Sequence, residues 1–562
     1  MPLSSYVATD DLTVLLGLSA AALFLLQNLY KPQPLVHPIL LGRQSDVAPV
    51  RNPGESAVYR NYSTSAMGRL PLRPAAGVQT IIDLVRADID SPRTLWSTKI
   101  TNAQLLARVK AFASGLDNLS KFQAGESKVL FLLNDCLEFL IADIAFAAKS
   151  ITTMTISSPE LLAEVLDNYS PSAIITDSDF LSHIIEQVYD LNQHTHTTVI
   201  VVGDPGSVGV QLAKEMSLLK FTDVEKEGAN NPTNLSPPTD VNHAFTIAFS
   251  KSPDGAGVQA VQFTQQNLTA GVASTRSLLP VSSPLTPLDT VVSSFSLSTP
   301  YGRTIAYTAV YEGTSFATLN STRIFSGDGE VQLDAPGALK DINSSSAFPI
   351  PSPTILFVKP EHVISLTSSI LNAARSGSWL SGWGWRHKTA HATEGFITKE
   401  SLWDRLVFDA ARVKVLGEGA GTLRALIATG GYTPADTLTP TRVVFSIPYV
   451  NAVSSDVVFG PIFASYPHDL QIHPSSEAGG AFENIAHVGA PTVSMEVKLV
   501  GVDDVTIEEG KDPAGEVYVR GPPAGTLLGS TNNPINGEHW LRTGYRGKAQ
   551  PNGCFKVAPL KK

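Results

Sequence analysis

The stretch VLFLLNDCLEFLIADIAFAAKSITTMTI, Val129 to Ile156, decides the fold class. It opens on an apolar run of strand length, Val129 to Leu133, continues with helical spacing of apolar residues over Cys136 to Ala148, and closes on the β-rich run Ile151 to Ile156. Working outward, Pro159 to Leu166 reads as a helix behind Ser158 as its cap, and Ala173 to Thr176 (AIIT) reads as a third strand. A helix from about Asp179 to Tyr189 and a fourth strand, Thr198 to Val202 (TVIVV), complete the alternation. Strands that alternate with helices predict an α/β fold around a parallel sheet, buried on both faces. No internal repeat is evident, and the polar stretch Glu227 to Asp240 reads as a loop because apolar segments resume directly after it.

The chain has 562 residues, 43% of them hydrophobic and 16% charged, with a net charge of -10. It is long enough to bury a large core, and the acidic balance without a basic run argues against a nucleic-acid partner. Its two cysteines, Cys136 and Cys554, lie far apart without metal-ligand spacing, so neither a disulfide framework nor a zinc site is expected, and a reducing compartment fits. The Asn-x-Ser/Thr triplets at Asn61, Asn118, Asn168 and Asn267 are read as unmodified.

Leu12 to Tyr30, LTVLLGLSAAALFLLQNLY, is an uncharged run that, at about 1.5 Å rise per residue, approaches the thickness of a bilayer core. It reads as a membrane anchor. Asp10 and Asp11 precede it and Lys31, Arg43 and Arg51 follow, an asymmetry that puts the body in the cytosol. The endoplasmic reticulum is the default membrane for an uncleaved N-terminal anchor. A buried soluble helix is the alternative, because Gln27 and Asn28 dilute the end of the run. The organisation expected is therefore an anchor over residues 1–31, an extended linker over 32–75 lying on the body, and one large domain over 76–562.

Three further stretches carry a family resemblance. They are HPILLGRQSDVAPVRNPGESAVYRN (His37 to Asn61), DTVVSSFSLSTPYGRTIAYTAVYEGTSF (Asp289 to Phe316), and the region Val488 to Val557 with its blocks VGAPTVSMEVKLV, GEVYVRGP, HWLRTGYRG and PNGCFKV. Their order and spacing resemble the adenylate-forming (AMP-binding) enzymes, and specifically the long-chain fatty acyl-CoA synthetases. The resemblance implies a large N-terminal domain of parallel and mixed sheets flanked by helices, with a distorted β-barrel-like part. It also implies a two-step reaction in which a fatty acid carboxylate attacks the α-phosphate of ATP, with Mg²⁺, and coenzyme A then displaces AMP.

Set against the family's motifs, the sequence departs at several positions. By resemblance the phosphate loop falls on SKSPDGAGVQA, Ser250 to Ala260, where Ser252, Gly255 and Gly257 stay small, Asp254 adds negative charge and Gln259 stands where the family has Lys. An acid near a polyanion repels it. A solvated surface loop and a repurposed phosphate cradle are the two readings. The family's histidine position falls on Thr299, while Gly302 and Arg303 are kept. The adenine shelf resembles ALIATGGYTP, with Gly430 and Gly431, which read equally as a tight turn. The magnesium motif aligns with VFGPIFA, keeping Gly460 and placing Phe463 at the carboxylate. In Trp540 to Tyr545, Thr543 and Gly544 are kept and Tyr545 replaces an aspartate that would hold ribose. The hinge falls on Pro559 and Leu560 and the sequence stops at Lys562, so the small C-terminal domain is expected to be missing.

The expected nucleotide pocket is thus a remnant made of Ser252, Gly430, Gly431, Gly460, Thr543 and Gly544, with no catalytic residue and no metal ligand assigned. The leading expectation is a membrane-anchored, catalytically impaired synthetase-like protein that holds an acyl chain, a nucleotide or a partner protein. The rival is an active long-chain fatty acid-CoA ligase using ATP, Mg²⁺ and coenzyme A. An unrelated α/β hydrolase is disfavoured, since G-x-S-x-G, H-E-x-x-H and G-x-x-x-x-G-K-[ST] do not occur. Finally, SGSWLSGWGWRHK, Ser376 to Lys388, sets Trp379, Trp383 and Trp385 beside Arg386, His387 and Lys388, a mixture suited either to a water-lipid interface or to a loop packed on its own body.

Overall fold

The computed structural model describes residues 11–29, 33–65, 68–119, 122–184, 197–206, 217–233, 242–255, 257–325, 334–473, 480–529 and 538–560. Among them the expected alternation is present. Strands Lys128–Leu132, Thr152–Ile156, Ala173–Asp177 and Thr198–Val202 pair in parallel, and helices Leu137–Ala148 and Leu162–Tyr169 connect the first three. Side chains of the first strand alternate between faces. Val129 and Phe131 enter the largest core cluster, whereas Leu130 and Leu132 enter a second cluster with Met154, Ile156 and Ile174. Both faces are therefore apolar because both are covered. Ser158 does sit at the N-terminus of the next turn, Pro159–Leu161, but its side chain makes no capping hydrogen bond. The helix expected from Asp179 runs into 185–189, which lie outside the described residues, as do 234–240 of the expected loop.

These four strands belong to an eight-stranded sheet. On one side Thr152–Ile156 pairs in parallel with Ala244–Lys251, which forms an antiparallel hairpin with Val258–Thr264. A nine-stranded sheet carries Ser315–Thr318, Thr290–Ser293, Ile355–Val358, Ala425–Ala428 and Tyr449–Ser454 as adjacent parallel strands. Helix Pro300–Glu312 follows Thr290–Ser293 and is buried along its whole length. From it, Arg303 donates to the Thr246 hydroxyl (2.9 Å) of the eight-stranded sheet and to the Leu297 carbonyl (3.1 Å), and lies 3.7 Å from Asp143. That buried guanidinium joins the two sheets.

The third sheet is antiparallel and six-stranded: Ser45–Val47, Tyr59–Asn61, Glu496–Val500, Ala514–Arg520, Leu541–Ala549 and Phe555–Pro559. Its first two strands come from the segment read as an extended linker. That segment is built into the body by main-chain pairing rather than merely lying over it. Of the Asn-x-Ser/Thr sites, Asn61 is buried and donates to the Pro491 carbonyl (2.8 Å), and Asn267 completes the capping box of helix Gln265–Arg276 with Thr264.

A helix, Asp11–Leu29, covers the expected anchor, with Leu12, Leu15, Leu16, Leu18 and Phe24 exposed. Among the described residues, however, no helix is long and apolar enough to cross a membrane. The expected transmembrane span is not supported at that level, since residue 30 and the side chains of residues 23 and 26–29 lie outside the described ones. Ser376 to Lys388 is largely helical and not a loop, with helix Ser381–Thr393 following Pro360–Gly377. Trp379 and Trp383 are exposed, 88% and 65%, while Trp385 packs on a core cluster and Lys388 is buried against Asp404.

Candidate functional site

In the nine-stranded sheet the chain passes from Thr290–Ser293 to Ser315–Thr318 on one side and later to Ile355–Val358 on the other. This reversal leaves a crevice at the carboxyl ends of the strands, where open α/β sheets take their ligands. The groups that follow those strand ends are Phe295, Lys359, Thr429 to Gly431, and Ser455 with Asp456. Gly430 adopts φ +88°, and a Cβ there would meet the Phe295 ring at 2.9 Å. The close approach read from this glycine is thus to a side chain of the protein itself. Gly431 lies beside Pro360.

From the eight-stranded sheet, the hairpin loop between Ala244–Lys251 and Val258–Thr264 enters the same region. Ser252 donates its amide to the Gly257 carbonyl (2.9 Å), and the Gly255 amide returns to the Ser252 carbonyl (2.8 Å), so the loop is a closed turn. Asp254 in it accepts from Arg542 at 2.8 and 3.1 Å. Arg542 also holds Glu516 at 2.8 and 3.1 Å, and these carboxylates raise the guanidinium pKa further. One residue beyond Thr543, Gly544 adopts φ +80°, and a Cβ built on it would lie 3.0 Å from Pro253. Ser455 donates to the Thr543 carbonyl (3.1 Å), and Thr543 donates to the Val517 carbonyl (2.9 Å).

Three segments therefore converge: Ser252 to Asp254, Ser455 with Asp456, and Arg542 to Tyr545. Asp456 reaches solvent, yet desolvation by the surrounding walls raises its carboxyl above the ordinary range, opposed by the Ser250 hydroxyl. Burial, and then the charge of Asp456, push the Tyr545 phenol up to about 12. Tyr545 is consequently neutral at physiological pH.

Of the expected pocket residues, Ser252, Thr543 and Gly544 are brought together, and Gly430 and Gly431 lie at the carboxyl edge of the nine-stranded sheet. Gly460 does not join them; it packs against Gly271 and Thr275 of helix Gln265–Arg276. Phe463 is fully buried on strand Pro461–Ala464 with its ring 4.7 Å from that of Phe555. The carboxylate near Ser250 and Tyr545 is Asp456, in a segment the sequence reading passed over. Its signal was an acid three residues beyond the largely apolar run Tyr449 to Val453. Thr299 is the N-cap of helix Pro300–Glu312, accepting from the Gly302 amide (3.2 Å), and Arg303 is committed to the core.

No family model matches the chain. Among curated proteins it is similar to human long-chain-fatty-acid–CoA ligase 1, with 24% identity over 60% of this chain and 44% of the ligase. It is also similar to the peroxisomal long chain acyl-CoA synthetase 6 of Arabidopsis thaliana, with 25% identity over 78% of this chain and 58% of that protein. The solved structure of a long-chain-fatty-acid-CoA ligase from Archaeoglobus fulgidus superposes with a TM-score of 0.59 at 12% identity, covering 88% of this chain and 86% of that one. In sequence the chain is similar to long-chain fatty acyl-CoA ligases, and its fold is that of the adenylate-forming CoA ligases. The matches span about half the length of those two curated relatives.

For this ligase-like chain the fit of a nucleoside triphosphate with Mg²⁺ can be judged from charge. In the loop Ser252 to Gly257 the described charged side chain is Asp254, and the nearby Arg542 is already engaged by two carboxylates. A polyanion entering there meets a neutralised cation and a closed turn. The loop does not fit a triphosphate.

Proposed function

We propose that this protein is a membrane-anchored long-chain acyl-CoA synthetase-like body with impaired adenylation, which retains a binding role toward an acyl chain, a nucleotide or a partner protein in lipid metabolism. The observation that carries the reading is the closure of the loop Ser252 to Gly257 on strand Leu541–Ala549, by Asp254 on Arg542 and by Pro253 on Gly544. Gln259 in place of a cation and the neutral phenol of Tyr545 support it further. ATP, Mg²⁺ and coenzyme A are the ligands of the active reading.

Anchoring is supported by the apolar run Leu12 to Tyr30 and its flanking charges, which favour a cytosolic body at the endoplasmic reticulum membrane. Where the chain joins the body, the Leu35 amide donates to the Gly395 carbonyl (3.0 Å), two residues past helix Ser381–Thr393. The exposed Trp379 and Trp383 lie at the other end of that helix, and would rest on the same bilayer.

One observation favours a second reading, an active ATP-dependent long-chain fatty acid-CoA ligase. Asp456 supplies a solvent-reaching carboxylate at the crevice, so the burial of Phe463 does not by itself remove a Mg²⁺ ligand. Purified protein with ATP, Mg²⁺, oleate and coenzyme A, beside a Tyr545→Asp variant and a buffer blank, separates the two. The impaired reading expects the unmodified chain to match the blank, and turnover above it would overturn that reading.

A further inference from the structure

We propose that His473, His487 and Cys554 form a structural site for a divalent metal ion of the zinc type, with Asp469 as the fourth ligand. The ligating atoms of the first three residues all lie within 4.8 Å of one another, and His487 and Cys554 are buried. Asp469 Oδ2 lies 3.9 Å from His487 Nδ1. Tetrahedral zinc bonds of about 2.0–2.3 Å imply ligand separations of about 3.3–3.6 Å. The three clustered atoms must draw together by about 1 Å to ligate one ion.

The hydrogen bonding around the cluster is what a metal site requires. His487 Nε2 donates to the Gln471 carbonyl (3.1 Å), which leaves Nδ1 as the lone-pair nitrogen facing the cluster. That buried Nδ1 has no hydrogen-bond partner, and neither has His473 Nε2. Two buried imidazole nitrogens without partners, on residues whose ligating atoms lie within 4.8 Å of one thiol, are costly without a shared occupant. Asp469 is oriented by the Gln44 amide nitrogen on Oδ2 (2.7 Å) and by the Gln471 main-chain amide on Oδ1 (3.0 Å).

Two nitrogens, one sulfur and one carboxylate suit zinc and disfavour Mg²⁺ or Ca²⁺, which take oxygen ligands. On binding, the Cys554 S–H bond breaks, a sulfur–metal bond forms and one proton leaves to solvent. Thiolate and carboxylate then balance the dication, and four protein ligands leave no open position, as in structural sites. The ion fastens Cys554, at the head of strand Phe555–Pro559, to His487, three residues before strand Ala490–Pro491, and to the segment of Asp469 and His473. Cysteine spacing alone suggested no zinc site; long-range pairing assembles it.

The test uses the full chain, purified and analysed for metal, then stripped and refilled with Zn²⁺ or Co²⁺ alone. About one zinc per chain, a higher Tm on refilling, and a Co²⁺ spectrum with both tetrahedral d–d bands and a thiolate charge-transfer band are expected. Cys554→Ser should lose the charge-transfer band. His473→Gln, at the half-exposed rim where folding is least at risk, should weaken Zn²⁺ binding at least tenfold. Substoichiometric zinc with no Co²⁺ spectrum, or a spectrum and affinity unchanged by both substitutions, overturns the proposal.

Discussion

Asp254 and Arg542 meet in a two-point ion pair, 2.8 and 3.1 Å, that ties the turn after Ala244–Lys251 to strand Leu541–Ala549. Asp254 is largely exposed, so the pair contributes little to global stability, on the order of 0.2–1 kcal/mol. Its effect is local. Asp254→Asn is expected to leave urea unfolding within about 1 kcal/mol of the parent while amide exchange at Ser252 and Gly255 accelerates. Unchanged exchange would show that the turn holds itself without Arg542.

The neighbouring contact is steric. Gly544 holds φ +80° with Pro253 only 3.0 Å from the place of a Cβ, so Gly544→Ala combines a left-handed backbone with a clash. A loss of about 1–3 kcal/mol in chemical denaturation is expected. Gly421→Ala is the control, since nothing lies within 4 Å of its Cβ position and its helix Gly419–Thr422 accepts alanine. Equal effects at the two glycines would show that Pro253 does not constrain Gly544.

At the end of strand Lys128–Leu132, Asp135 accepts from the Leu297 amide (2.8 Å) and the Ser296 hydroxyl (3.0 Å), and burial pushes its carboxyl up to about 6. Between the ordinary value of 3.8 and about 6, the folded chain keeps a proton that the unfolded chain has released. The stabilisation from this group is therefore full below the unfolded pKa and is lost as pH rises through the folded one. Asparagine can accept the same two hydrogen bonds without ionising. The stability of Asp135→Asn relative to the parent should thus rise from pH 4 to pH 7 by about 1–3 kcal/mol. A pH-independent difference in urea midpoints would show that Asp135 titrates normally.

Much of this architecture could be read from local pattern because local pattern reports burial. The strands around Val129, Ile174 and Val199 are largely apolar on both faces, and that can be read without knowing their neighbours. Side-chain partners are a different matter. Ser158 precedes a helical turn but does not cap it, Phe463 aligns with a site position yet belongs to the core, and Asp456 stands in no recognisable motif, because which residue faces the crevice depends on strand pairing. His473, His487 and Cys554 are likewise joined only by the approach of distant segments. Lys388 shows the same limit, since its partner lies sixteen residues away, beyond the end of helix Ser381–Thr393 and the loop that follows it.

Lys388 adjoins Arg386 in sequence like a basic head for a lipid surface, but its ammonium is buried on Asp404, which also receives Arg412 (2.6 Å) and the Ser401 hydroxyl (2.6 Å). Desolvation pulls the ammonium down to about 8, opposed by the Asp404 charge, so at neutral pH the ion pair persists. Removing one donor leaves the carboxylate held by Arg412, and Lys388→Met should cost about 1.5–3 kcal/mol, the usual range for a hydrogen bond to a charged group. Exposed Trp379 and Trp383 make the opposite case: their replacement by alanine should leave the unfolding midpoint nearly unchanged and weaken liposome binding of a chain lacking residues 1–31. Measured side by side, Lys388→Met should therefore shift stability and spare liposome binding, while the tryptophan pair does the reverse. If Lys388→Met weakened liposome binding as much as the tryptophan pair without loss of stability, the buried pair with Asp404 would be refuted.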